Sequence, residues 1–359
     1  MLCALSVAAC KPTSSTEPIK IGFIGPLTGD AAALGVDILH GIQIAVDDAN
    51  ATGGIDGRQI QIVAEDGRCT GADAASAAQK LINVDKVVAI LGGQCSGETL
   101  AIAPIAEAAG VPIISAISSN PDVTEAGEFI FRVYPSDALK TVVMAKYFAV
   151  QGWDKVAILS TNADFSVGFR DALKADLPAG FIFDEVVDPT AKDFRTVLTR
   201  LTGQDFDVFV PNSHANAPMA LMIEQFREQG LTQPMVSHDV ADTLDVIAAA
   251  GDAAEGLQSI NVPTIEADTD FGQDFITTHG QPQAGMFFAA FGYDAANVLL
   301  EAIRNMGDGP LRDAIAATDR HPGVVGPISF DENGDVVGVS YDLKEVQNGA
   351  YKTLRALPL

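Results

Sequence analysis

Short apolar runs rich in β-branched residues alternate with segments of helical spacing along most of this chain, and no other feature constrains its fold as much. Strand-like runs at 19–24, 60–64, 87–91 and 111–114 are separated by helix-like segments at 36–50 and 72–83 and by an Ala/Ile-rich segment after residue 97. The first helix carries Ile38, Ile42, Ala45 and Val46 at the three-to-four spacing of one helical face. A helix at 138–151 opens a second series, with strands at 156–159, 181–187, 208–211 and 235–237. Helices at 167–177, 193–201, 218–229 and 244–250 fall between and after them. A helix between two strands carries the chain back to the same end of the sheet, so this alternation builds parallel sheets covered by helices. Two such series in 359 residues exceed a single hydrophobic core and predict two α/β domains.

Within the first series, residues 91–120 gather polar side chains at two strand ends. The run Val87-Val88-Ala89-Ile90-Leu91 stops at Gly92-Gly93 and is followed by Gln94-Cys95-Ser96-Gly97-Glu98. After a helix and Gly110, a second buried-looking strand at 111–114 leads into Ser115, Ser118 and Ser119. Open parallel sheets bind ligands beyond the carboxyl ends of their strands. Ser96 stands where the helix starts, and there free backbone N–H groups and the helix dipole favour an anion such as a carboxylate. The plainer alternative is that Ser96 only caps its helix.

Charge narrows the partners. Lys and Arg total 22 against 47 Asp and Glu, a formal charge of −25 that repels nucleic acid and anionic membrane surfaces. No apolar run reads as long enough to span a bilayer. The N-terminal Leu5-Ser6-Val7-Ala8-Ala9-Cys10 is similar to the bacterial lipoprotein signal, in which cleavage exposes a cysteine for lipid attachment. It departs from that signal in having only nine residues before Cys10 and no basic segment. A polar tether follows at 11–18. Export is the expectation, with Cys10 as the lipid anchor. Setting Cys3 and Cys10 aside leaves Cys69 and Cys95, an even pair, each just after a strand, that neighbouring strand ends could bring within disulfide reach. Two free thiols are the alternative.

The C-terminal third departs from the alternation. Residues 271–279 and 287–306 read as helices, the second long and amphipathic. Runs at 324–330 and 336–342 flank Asn333-Gly334, a hairpin-turn signal. Asp331, Asn333 and Asp335 are spaced like calcium ligands, but the glycine falls at the fourth loop position instead of the sixth and Asp342 replaces the final Glu. A turn is expected there, and no metal. Catalytic machinery is not visible either. Ser237-His238-Asp239 holds triad residue types, yet neighbours on one strand end cannot adopt triad geometry. Ser96 lacks the G-x-S-x-G elbow, because Gln94 occupies the first glycine position. No phosphate-binding, dinucleotide or H-E-x-x-H pattern occurs, so no cofactor is expected.

Three further motifs occur in order: Ile21-Gly22-Phe23-Ile24-Gly25-Pro26-Leu27-Thr28-Gly29, then Asp47-Asp48-Ala49-Asn50-Ala51-Thr52-Gly53-Gly54-Ile55-Asp56-Gly57, then Val325-Gly326-Pro327-Ile328-Ser329-Phe330-Asp331. On these, the chain from Ile19 to Tyr351 resembles type I periplasmic binding proteins, and more closely the leucine/isoleucine/valine-binding family of ABC importers. The resemblance implies two Rossmann-like lobes with parallel sheets, joined by three hinge crossings near Pro135, Val262 and 331–336. Residues 1–18 would be signal and tether, 19–135 plus 263–330 the first lobe, and 136–262 plus 336–351 the second. It further implies a non-enzymatic, exported protein that binds an aliphatic, branched-chain-type L-amino acid and delivers it to an inner-membrane ABC permease. Membrane contact would run only through the lipid anchor, and nothing argues for a stable oligomer, so a monomer is expected.

Position by position, the resemblance assigns Ser96 to the ligand carboxylate and Ser119 to both ends of the amino acid. It assigns the Ile117 carbonyl to the ammonium and Asp239, where the family has a glutamate, to neutralising it. Cys69 and Cys95 match a family disulfide, with Cys95 also in the ligand wall. Where the family often shows aromatic residues, this chain has Leu34, Phe165 and His214. A shorter carboxylate and a histidine leave the cargo side chain open: a polar amino acid, a small amide or urea are alternatives, as is a ligand-sensing role. A surface-loop position is the alternative for His214.

Overall fold

In the computed structural model, which describes residues 17–265 and 267–358, the chain builds two α/β bodies around two separate sheets. The first sheet is all parallel, in the spatial order Ile60–Asp66, Ile19–Gly25, Ile90–Gly92, Ile113–Ser115, Ile130–Arg132. The second has a parallel core in the matching order Phe181–Val187, Val156–Thr161, Val208–Asn212, Val236–Ser237, Gln258–Asn261. A parallel bridge from Phe209 to Met235 joins its two parts. Tyr341–Gln347 and Ala350–Leu357 then complete the edge in antiparallel pairing. The central strands are apolar without alternation, and Ile21, Phe23, Ile158 and Val210 are all fully buried, as strands sandwiched between helices must be.

In each sheet the second strand lies to one side of the first and the third to the other. The loops leaving the first and third strands therefore diverge and open a crevice between them. In one body those loops leave Gly25 and Gly92, and in the other they leave Thr161 and Asn212. The two crevices supply most of the site described below.

The chain passes between the bodies three times: after Arg132, after Asn261, and between Ile328 and Tyr341. Buried Arg132 ties the first passage to the third, donating from Nε and Nη2 to the two oxygens of Asp335 at 2.5 and 2.8 Å. The Tyr134 hydroxyl ties the first to the second, donating to Asn261 Oδ1 at 2.8 Å. Helix Met286–Asn305 packs against helix Ala32–Ala51 so closely that a Cβ on Gly41 would lie 1.9 Å from the Ala289 carbonyl oxygen. Asp37 accepts the N–H groups of Gln283, Ala284 and Gly285 at 3.0, 2.7 and 3.1 Å, which fixes where the longer-range partner helix begins.

Three expectations need correction. Helix Met286–Asn305 is long and apolar enough to cross a membrane, but it is buried in the core of the first body. Its apolar residues are spent on packing. The hairpin expected around Asn333-Gly334 forms but is shorter than the flanking runs: Phe330 and Val336 bridge antiparallel, Val337 donates to the Ser329 carbonyl at 3.0 Å, and at the turn Asp331 Oδ1 accepts the N–H groups of Asn333 and Asp335 at 2.9 and 3.0 Å. Arg132 holds Asp335 in that turn, the earlier segment Gly326–Ile328 pairs with His321–Gly323, and the longer hairpin is Tyr341–Gln347 with Ala350–Leu357. The helix expected at 193–201 is a single α-helical turn, Arg195–Leu198, continued as a tighter 3-10 turn. The proposed anchor Cys10, and the tether up to residue 16, lie outside the described residues.

Candidate ligand-binding site

Helix Ser96–Ala109 begins directly beyond the third strand of the first sheet. Its cap is not Ser96 but Cys95, in extended conformation, with Glu98 reaching back to accept the N–H groups of Gln94 and Cys95 at 2.9 and 3.0 Å. The other Glu98 oxygen accepts the Cys69 N–H at 2.9 Å, and the Cys69–Cys95 disulfide closes the same corner with a Cα–Cα distance of 5.3 Å. Burial pushes the Glu98 carboxyl up to about 7, against the pull of those three donors. Ser96 is thereby released from capping. Its Oγ accepts the Asn120 N–H at 3.2 Å and keeps its own proton to give; Glu98 and Thr99 donate to the Cys95 carbonyl at 2.9 and 3.1 Å, which leaves the Ser96 and Gly97 N–H groups as the donors of the first turn with no carbonyl to bond.

A small, tightly closed cavity lies between the two bodies. Leu34, Gln94, Cys95, Ser96, Ile117 and Phe288 line it from the first body, and Phe165, His214, Asn216, Asp239 and Val240 from the second. The two bodies also touch directly, where Asn120 Nδ2 donates to the Asp164 carbonyl at 2.6 Å, so this is a closed arrangement. Leu34, Cys95, Ser96, Ile117, Phe165, His214 and Asp239, named from sequence, all come together here. Ser119 does not. It is fully buried behind the wall, donating from Oγ to Asp137 Oδ2 at 2.8 Å and accepting the Asp137 N–H at 2.7 Å.

Asp239 does not stand alone as expected. Its Oδ1 lies 2.6 Å from Lys140 Nζ, and the same ammonium lies 3.0 Å from Asp137 Oδ1. Lys140 and Asp137 are fully buried one turn apart on helix Asp137–Gln151. Burial alone would raise the Asp239 carboxyl, but the Lys140 charge outweighs it and holds Asp239 well below the usual carboxylate range. Asp137 is pushed upward by burial more than Lys140 pulls it down, with Asp239 adding repulsion. Lys140 is held fully charged: burial opposes its charge, but the two carboxylates prevail. Two carboxylates sharing one ammonium leave one surplus negative charge beside the cavity.

The remaining wall is built by packing. His238 Nε2 faces Asn212 Oδ1 at 3.1 Å, and its Nδ1 lies 3.4 Å from the Val240 nitrogen and 3.6 Å from Asp239 Oδ1. The His238 ring stands edge-on to Phe165 and Phe169, at 4.9 and 4.7 Å between centroids, and braces Phe165 into the cavity. His214 is a wall residue, not a surface one: Nδ1 pairs with Thr161 Oγ1 at 3.1 Å, and burial lowers its pKa, keeping it neutral. Gln94, Lys140, Asn216, Val240 and Phe288 were not singled out for the site from sequence. Lys140 left a readable trace, because with Asp137 it occupies the apolar stripe of its helix alongside Met144 and Tyr147. Among the described residues no cluster of His, Cys, Asp or Glu is arranged to hold a metal ion.

Residues 18–349 match the family model described as periplasmic binding protein. An amino acid binding protein of Pseudomonas aeruginosa is 29% identical over 347 residues, covering 93% of this chain and 91% of the relative. A Leu/Ile/Val-binding protein homolog 2 of Brucella abortus is 30% identical over 360 residues, covering 97% of this chain and 95% of the relative. Among solved structures, the branched-chain amino acid transporter substrate binding protein LivJ from Streptococcus pneumoniae, in complex with isoleucine, superposes with a TM-score of 0.85 at 28% identity. That match covers 95% of this chain and 99% of the other.

Proposed function

Because the chain belongs to the periplasmic binding protein family, whose members work outside the cytoplasm as carriers and not as enzymes, we propose that it captures a small L-α-amino acid of branched-chain size for an inner-membrane ABC permease. The observation that carries this reading is the pairing of an anion site on one body with a surplus negative charge on the other. Ser96 and the start of helix Ser96–Ala109 offer donors to a carboxylate, while Asp239, balanced only in part by Lys140, faces them from the opposite wall. A zwitterion bridges the two, and each end of it favours the closed arrangement. The Ile117 carbonyl adds an acceptor for the ammonium, and Ser119 acts at one remove, through Asp137 and Lys140. Leu34, Phe165, Val240, Phe288 and the disulfide enclose the side chain.

In this reading the lobes are 19–135 with 263–330 and 136–262 with 336–351, the last strand extending the second to Leu357. The three passages act as hinges, Cys10 is the lipid anchor, and the protein works as a monomer. The test is a thermal-shift screen of the refolded, cargo-free protein against the twenty amino acids, urea, small amides and aromatic acids. A ligand present at 100 times its Kd adds about 2.7 kcal/mol of stability. Stabilisation by valine-sized amino acids is expected, and stabilisation only by acids without an ammonium overturns the proposal.

A further inference from the structure

We infer that Gln94 is a specificity-determining residue and that the cargo side chain carries a hydrogen-bond acceptor, an inference that rests on the amino-acid reading above and narrows it. Gln94 is 1% exposed and lines the cavity. Its carboxamide orientation is assigned by the Ala116 N–H, which Oε1 accepts at 3.1 Å. Its Nε2 is buried and has no partner. A buried amide donor left unmade costs free energy that a same-shaped apolar side chain would not. Leucine or methionine would fill this position among Leu34, Ile117 and Phe288 without that penalty. The donor is therefore an active preference for an acceptor, supplied by whatever occupies the cavity.

The head group does not supply it. The carboxylate belongs to Ser96 and the helix start, and the ammonium to Asp239 on the far wall. Gln94 occupies a third place. It leaves the strand Ile90–Gly92 and lies across the end of strand Ile19–Gly25, where a Cβ on Gly25 would come 2.8 Å from Gln94 Cγ. Its carbonyl is pinned to the end of strand Ile113–Ser115 through Ala116. This is the floor of the first body's crevice, where the cargo side chain rests once its head group spans the two walls. A β-branched amino acid with a side-chain oxygen, threonine in place of valine, brings the acceptor the site lacks.

Threonine and valine are nearly isosteric, so their affinity ratio reads this one contact. Calorimetry on the refolded, cargo-free protein is expected to show threonine ~10–100-fold tighter than valine. In Gln94→Leu the order is expected to invert while both ligands still bind, which shows that the variant has folded. The wild-type ratio needs no variant at all. Valine binding as tightly as threonine or tighter in the wild type overturns the inference and leaves the head-group reading standing, as does an unchanged ratio in Gln94→Leu. If neither amino acid binds and a carboxylic acid without an ammonium does, the head-group reading falls and this inference falls with it.

Discussion

Lys140→Met is the most informative single change, because it removes a charge from the site while keeping the length of the side chain. Lys140 Nζ lies 2.6 Å from Asp239 and 3.0 Å from Asp137, and all three groups are almost wholly buried. At an effective dielectric of ~20, Coulomb's law gives about 6 kcal/mol for each contact. Desolvation of the three charges cancels most of that in the wild type, so the trio adds little net stability. Removing only the cation is different: it leaves two buried carboxylates facing each other, a loss of roughly 3–5 kcal/mol. That is a large part of the ~5–15 kcal/mol that holds a domain together. The loss depends on pH. Without Lys140 both carboxyls have folded-state pKa values above those of the unfolded chain, so each favours folding less as pH rises through that window. Urea unfolding should therefore show a smaller deficit at pH 4.5 than at pH 7.5. Lys140→Met/Asp137→Asn restores one net negative charge, as in the wild type, and should recover most of the stability and the amino-acid affinity. A single variant within about 1 kcal/mol of wild type at pH 7.5, or a double variant no better than the single, would refute this account of the charge balance.

Three further outcomes are expected. Replacing both Cys69 and Cys95 by serine should cost about 3.5 kcal/mol by loop entropy for a 26-residue separation, and dithiothreitol should lower the wild-type melting temperature but not that of the variant. Arg132→Ala, which strands Asp335 in the third passage, should cost roughly 3–5 kcal/mol, read from urea midpoints, and Arg132→Lys should recover only part because one ammonium cannot serve both oxygens. Glu98 predicts a pH slope. Between its ordinary 4.5 and the raised value of about 7, the folded protein keeps a proton that the unfolded chain has released. Stability from this group therefore falls as pH rises, by on the order of 3 kcal/mol in total, and Glu98→Gln should lack that slope. Parallel stability curves for wild type and variant between pH 5 and 8 would remove Glu98 as the cause.

What could be read from the sequence depended on whether a residue's role is set by its own neighbours in the chain or by distant ones. Strand and helix alternate with strong periodicity, so two parallel-sheet bodies were legible, and so were the strand ends at 91–97 and 115–119 where polar groups collect. Ser96, found from those ends, and Phe165, which only the resemblance assigned, share one physical origin: each follows a strand beside a reversal of winding, and topology drives those loops into the same cleft. Partner choice inside the cleft was not legible. Ser119 occupies the right loop, yet a carboxylate eighteen residues on, Asp137, takes its hydroxyl and turns it away from the cavity. Asp239 occupies the right wall, but its charge is set by Lys140, ninety-nine residues earlier, which no local pattern links to it. Gln94 was visible as a member of the polar cluster and as a failed glycine, without a role. Its meaning lies in Ala116, which claims one end of its amide and leaves the other to the cargo. The shape of this site is thus a property of strand order, while its selectivity is decided by which buried polar groups are satisfied before any ligand arrives.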